Sequence, residues 1–218
     1  MGLRESKKIE TRRLISDCAA RLFQEQGFER TTIAEIAAAA RVARKTVTNY
    51  FPRKEDLALD QHEEFTAELA RVVAEREPGE PPLAALGRAF RTALVTHSPA
   101  AGFTGVGFAR MVAESPTLGA RLRELHERRE EALARALADA GGGGGAAEPS
   151  GAGDVEEGPG IAARATAAMI AAADRLMFRR IQELTLAGRT DDEIEALLTP
   201  EADHVYGMLV AAVGGFPG

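Results

Sequence analysis

The sequence predicts an all-α fold, and three observations carry that expectation. Ala, Leu, Arg and Glu, all good helix formers, dominate the chain. Aromatic residues make up only 5% of it, and no stretch alternates apolar and polar residues as a half-buried strand would. Gly and Pro gather at the ends of runs that carry a helical apolar period.

The elements follow in order. A first helix is expected from about Lys7 to Gln26, with Leu14, Ile15, Cys18, Leu22 and Phe23 on its apolar stripe. Gly27 supplies a left-handed stop, and Phe28 folds back on the last turn. Thr32-Ile33-Ala34-Glu35 reads as a capping box that opens a short helix to Ala40. A third short helix covers Ala43 to Tyr50, ended by Pro52, which disfavours helical geometry in Phe51. A long helix from Lys54 to Glu77 follows, apolar at Phe65, Leu69, Val72 and Val73, and is stopped by Pro78-Gly79 and Pro81-Pro82. Further helices are expected at Leu83–Thr96, Thr104–Glu114 and Leu118–Ala140. Residues 141–160 contain nine glycines and two prolines and read as a flexible loop. An Ala-rich helix then runs from Ile161 to Ala187 and stops at Gly188. Thr190 to Glu193 form a second capping box, opening a helix to Leu198 that Pro200 breaks or kinks. A last helix spans Ala202 to Val213.

A chain of 218 residues can form one large domain or two small ones, each with a real core. Its net charge of −6 argues at first against a nucleic-acid partner. The charge is unevenly spread, however. Residues 1–55 hold 12 basic and 7 acidic side chains, a balance of +5, and include all four lysines, Lys7, Lys8, Lys45 and Lys54. The rest carries −11, which describes an anion-binding head on an acidic body. Cys18 is the single cysteine, so neither an internal disulfide nor a Cys-rich zinc site is expected. The stretch from Ile161 to Ala173 is too short and too polar to span a bilayer, and no apolar run follows the charged N-terminus as in a signal peptide. A cytoplasmic protein without membrane partners is the expectation.

Residues 32–51, TIAEIAAAARVARKTVTNYF, place two short helices around a tight turn. Small Ala37 allows the helices to cross closely, while Val42 and Val47 hold the second on the first. That second helix carries Arg44, Lys45, Thr46, Thr48, Asn49 and Tyr50 and is narrow enough for a major groove. Taken alone, the pattern also fits a solvated helix pair in a bundle. Its surroundings are more specific: Gly27-Phe28, Thr31-Thr32-Ile33, Ile36-Ala37, Val42, Thr46-Val47, Tyr50-Phe51-Pro52 and Lys54-Glu55-Asp56-Leu57. Together these residues resemble the tetracycline-repressor (TetR) family of bacterial transcription regulators over residues 7–60. The run RKTVTNYFPRKEDLALDQ also looks like the subset associated with acyl-CoA-type or mycofactocin-type regulators.

The resemblance implies a helix-turn-helix DNA-binding domain over residues 1–53 and a helical ligand-binding and dimerisation domain over 54–218. It implies a homodimer on a palindromic double-stranded DNA operator, most commonly a repressor, released by a small-molecule effector. Carried over position by position, it makes Arg44, Lys45 and Thr48 candidates for base contacts, Arg44 by a bidentate pair to guanine. Thr32, Thr46, Asn49, Tyr50 and Lys54 become candidates for phosphates, and Lys7, Lys8 and Arg12 for non-specific charge. Two positions depart from the family pattern. Arg41 stands where glycine is usual in the turn, at a cost of about 1–2 kcal/mol if its φ is positive. Ala43 replaces a side-chain cap worth roughly 1 kcal/mol.

In the body, Phe90, Phe103, Phe108, Met111, Met169, Met177 and Phe178 can line an adaptable apolar pocket, which points to an apolar or acyl-like ligand, or they can simply form core. Arg110, Arg175 and Arg179 can meet an anion or lie on the surface. The small residues of the Ile161 helix, with Ile170, Ala173, Leu176, Ile181 and Leu184, and then Val205, Met208 and Leu209, are expected at a four-helix dimer interface. His62, His97, His126 and His204 lack metal-ligand spacing, and neither a catalytic constellation nor a phosphate loop is present, so no enzyme, metal or cofactor is expected. Two other functions stay open: a DNA-binding regulator controlled by a protein partner, and a helical enzyme or carrier.

Overall fold

A computed structural model describes residues 2–141 and 158–213. The glycine-rich loop expected at 141–160 lies, over 142–157, outside the described residues. Among the described residues all regular structure is helical, as the sequence predicts. The chain forms two compact units, one of residues 1–63 with 110–123, the other of residues 64–109 with 124–218. The boundary expected after residue 53 falls within the first unit.

In the first unit, α1 (Leu3–Gln26) packs on α2 (Ile33–Ala39) and on α4 (Lys54–Ala58), and α2 packs on α3 (Arg44–Tyr50). Its core holds Ile15, Cys18, Ala19, Phe23, Phe28, Ile36, Ala37, Val47, Phe51 and Leu57. Leu14, expected on the buried stripe of α1, is instead about half exposed. The long helix expected from Lys54 to Glu77 is two helices, α4 and α5 (His62–Ala74). The break has a long-range cause. Arg12, on α1, donates to both the carbonyl and the carboxylate of Asp60 and holds that residue between the two helices.

The second unit contains most of α5, α6 (Pro82–Val95), a 3-10 turn at Pro99–Ala101 and the first half of α7 (Gly105–Glu114). It also takes in α8 (Pro116–Gly141) from residue 124 onward, α9 (Ile161–Leu186) and α10 (Asp191–Val213). α10 packs on α6 and α9. The core runs through Leu86, Phe90, Leu94, Leu133, Ile170, Met177, Ile181, Ile194 and Leu198. Two glycines set close approaches. A Cβ at Gly87 would lie 3.3 Å from the Tyr206 ring, and one at Gly102, whose φ is +125°, would lie 3.0 Å from the Phe178 carbonyl. Pro200 does not break the last helix, which is continuous from Asp191 to Val213. Leu198 and Ala202, on either side of the proline, are both buried, and the Thr199 hydroxyl donates to the Glu195 carbonyl at 2.8 Å. Burial on both sides outweighs the missing hydrogen bond.

Candidate nucleic-acid interface

The second helix of the helix-turn-helix is presented by short-range devices. Thr32 caps α2 through the predicted box: its hydroxyl accepts from the Glu35 N–H at 3.2 Å, and the Glu35 carboxylate accepts from the Thr32 N–H at 2.8 Å. The bonds this carboxylate accepts from the Thr32 N–H and from the Thr32 hydroxyl, both at 2.8 Å, hold it below the usual carboxylate range. α2 then ends in a Schellman motif, with the Arg41 N–H donating to Ala38 at 3.1 Å and the Val42 N–H to Ala37 at 2.9 Å. The motif requires a left-handed residue, and Arg41 adopts it at φ +53°. The expected strain in the turn is therefore present. Ala43 caps α3 without any side-chain hydrogen bond, also as expected.

On α3, Val47 is fully buried and fixes the helix rotation. Arg44, Lys45, Thr48 and Asn49 are exposed, while Thr46 and Tyr50 are half-buried. The Thr48 hydroxyl donates to the Lys45 carbonyl at 3.2 Å. Thus the six candidates share one short helix anchored by Val47, with Lys45, Thr48 and Asn49 turned away from it and Arg44 and Tyr50, three residues to either side, flanking it. Thr32 is exposed at the start of α2 with its hydroxyl engaged in the cap.

Lys54 and Arg12 have tasks that the sequence does not reveal. The Lys54 ammonium donates to the carbonyls of Phe28, Glu29 and Thr31 at 3.0, 3.4 and 3.2 Å and sits 4.2 Å above the Phe28 ring. It braces the connection between α1 and α2. Arg12 donates to the Tyr50 carbonyl at 3.3 Å and lies 4.4 Å above the Phe51 ring, tying α1 to the end of α3. Lys7 and Lys8 are exposed. A second pair of contacts closes the unit from the α7–α8 corner. Arg121 binds Asp56 with both side chains buried, and the Ser115 hydroxyl, which caps α8 at Leu118, donates to Glu29.

The candidates in the second unit separate. Phe90 lines a cavity of about 20 Å³, with Leu69, Leu86, Tyr206, Arg129 and Asp174 among its other walls. Phe103 and Met177 are core. Phe178 packs edge-on with Phe65 and His126. Phe108 is half-buried and Met169 exposed, whereas Met111, also half-buried, belongs to the first unit. Arg175 pairs with Glu130 at 2.8 Å, while Arg110 and Arg179 are exposed. Of the residues expected at a dimer interface, Ile170, Ile181 and Leu184 are buried in this chain's own core, which moves them off the surface. Ala173, Val205 and Leu209 are half-buried, and Leu176 and Met208 stand exposed at 62% and 53%.

The cavity wall holds a charged cluster that the sequence pattern does not predict. Buried Arg129 reaches Glu68 at 2.9 Å and Asp174 at 3.3 Å, donates to the Phe65 carbonyl at 2.6 Å and lies 4.4 Å above the Phe65 ring. Burial pushes the Asp174 carboxyl up, against the pull of Arg129. It also raises the Tyr206 phenol. Burial, together with the charges of Arg129, Arg175 and Arg179, lowers the His126 imidazole to about 4. One signal was available: Asp174 is a lone acid in the run MIAAADRLMF.

Comparison with known proteins bears on this geometry. Residues 15–60 match the family described as bacterial regulatory proteins, tetR family. The chain is 34% identical over 142 residues to the HTH-type transcriptional regulator TcmR of Streptomyces glaucescens, a match that covers 63% of each chain. The match thus spans somewhat less than two thirds of that relative. The fold resembles Salmonella enterica GusR, with a TM-score of 0.54 at 17% identity over 94% of this chain and 96% of that one. It also resembles a structure described as a TetR-family regulator from Syntrophomonas wolfei, with a TM-score of 0.55 at 19% identity over 95% and 97% of the two chains.

Proposed function

We propose that this chain, whose residues 15–60 match the tetR family of bacterial regulatory proteins, is a member of that family and regulates transcription as a homodimer on a palindromic operator, most simply as a repressor in the cytoplasm. The matched family is one of regulators, not of enzymes. The observation that carries the proposal is the exposed polar surface of α3, anchored by a fully buried Val47 on a head whose sequence is net basic. Arg44, Lys45 and Thr48 read bases from this face, while Thr46, Asn49 and Tyr50 hold phosphates. Thr32 lies beside the first turn of α2, whose Ile33 and Ala34 N–H groups have no intrahelical acceptor and favour a phosphate. Lys54 serves the interface by bracing the loop before α2. The dimer forms through exposed apolar residues at helical spacing, Met169 and Leu176 on α9 with Leu197 and Met208 on α10.

The test is operator binding by an Arg44→Ala/Lys45→Ala double variant, checked for folding by circular dichroism. Specific affinity falls by about 2–6 kcal/mol if both residues read bases. Retained specific binding would refute the assignment of α3. Leu176→Glu should yield monomers in sedimentation.

A small effector, apolar or acyl-like along its body, is proposed to enter beside Phe90 and meet Arg129, Asp174 and Tyr206 with its polar end. A second reading is favoured by the size of that cavity. At about 20 Å³ it admits a single water, well short of the ~300–1,000 Å³ of a typical ligand site. Control by a protein partner needs no such opening. An effector that releases DNA from the wild type but not from a Phe90→Trp variant would decide for the small molecule.

A further inference from the structure

We infer that His97, Asp192 and Glu195 form a binding site for a divalent first-row transition ion. The site is built by two local devices in the second unit. At the end of α6, the Ser98 N–H donates to Ala93 at 2.9 Å and the His97 N–H to Leu94 at 3.1 Å, a Schellman motif that places His97 in the left-handed conformation at φ +48°. The imidazole then rests against the buried Phe103 ring, with centroids 5.0 Å apart, and its Nε2 faces α10. On α10, Asp192 and Glu195 are three residues apart and share one face. Glu193, between them, is turned back to cap Thr190.

The Nε2 of His97 lies 3.1 Å from the Glu195 carboxylate and 3.7 Å from that of Asp192, and the three donor atoms are all within 4.8 Å of one another. Bonds of about 2.0–2.2 Å to zinc put neighbouring ligand atoms roughly 3–3.5 Å apart, so the set closes on an ion with small side-chain shifts. Charge favours the same occupant. Without an ion, Nε2 is a single donor between two carboxylates that lie beside a like charge. A divalent ion neutralises both carboxylates and engages all three groups. The imidazole ligand favours zinc, copper, nickel, cobalt or iron over magnesium and calcium. Asp192 is largely exposed, which leaves water to complete the coordination. A bound ion would tie the end of α6 to the first turn of α10.

The experiment titrates zinc into tag-free, chelator-treated full-length protein by calorimetry and follows cobalt by its visible absorption. One ion per chain is expected, with millimolar magnesium failing to compete. His97→Ala and Glu195→Gln should each weaken zinc by at least about tenfold. Asp192→Asn, at a nearly fully exposed position that threatens no packing, should weaken it too. A His62→Ala/His204→Ala variant should bind as the wild type does. Absence of stoichiometric zinc binding, or equal affinity in His97→Ala, Glu195→Gln and Asp192→Asn, overturns the site.

Discussion

Arg121 places Nε and Nη2 on one oxygen of the Asp56 carboxylate, at 3.0 and 2.7 Å, with both side chains about 95% buried. The pair joins α4, directly after the helix-turn-helix, to the start of α8 within the first unit. Removing one partner strands a buried charge. Asp56→Ala should cost about 3–5 kcal/mol in chemical denaturation. Asp56→Leu with Arg121→Met should recover most of that loss, because a well-packed apolar pair avoids the desolvation of both ions.

The turn before α3 stores strain at Arg41. Arg41→Gly relieves a left-handed cost of about 1–2 kcal/mol, partly offset by about 0.5–1 kcal/mol of added freedom in the unfolded chain. A net gain of roughly 0.5–1 kcal/mol is expected, raising the melting temperature by about 2–3 °C. Arg41→Val should lower it, since a β-branched residue resists positive φ.

Lys54 separates bracing from phosphate contact. Lys54→Met keeps the aliphatic stem and removes three hydrogen bonds from the Phe28, Glu29 and Thr31 carbonyls. It should lower stability by about 1–2 kcal/mol. The slope of log affinity for DNA against log salt should stay at the wild-type value. A slope smaller by about 1 would instead assign Lys54 a direct phosphate.

His126 lies edge-on to Phe65 and Phe178, at 5.0 and 5.3 Å, with its imidazole held down to about 4. In the unfolded chain it titrates near 6.5. Between those values the unfolded state binds the additional proton, so stability falls as pH drops from about 6.5 to about 4. The full effect is of order 3 kcal/mol. Asp174, whose carboxyl is raised by burial, acts in the opposite sense over its own range. The comparison with His126→Phe isolates the histidine: the difference in urea midpoint between the two proteins should narrow as pH rises towards 7.

The helix-turn-helix was legible because its determinants are local. The capping box at Thr32 and Glu35, the stop at Gly27 and the buried Val47 each depend on residues within a few positions. The strained turn was expected from the resemblance, which implies a glycine where this chain has Arg41, and Arg41 takes up the positive φ. The ligand and interface sets were less so. Phe103, Met177, Ile170 and Ile181 repeat at helical spacing, and periodicity marks an apolar face without saying what covers it. Here the chain's own helices cover them.

The sequence by itself determined the all-helical architecture, the order of most helices, the division into a basic head and an acidic body, and the polar set carried by α3. Those properties follow from propensity, caps and charge counts, which act over one or two turns. Tertiary structure alone decided that Lys54 braces a loop, that Arg12 breaks a helix at Asp60, and that Arg129 joins Glu68 and Asp174 inside the second unit. It also kept α10 continuous through Pro200, against the local rule. These outcomes depend on side chains brought together from distant parts of the chain or on burial along a whole helix face, and neither is encoded in the spacing of neighbouring residues.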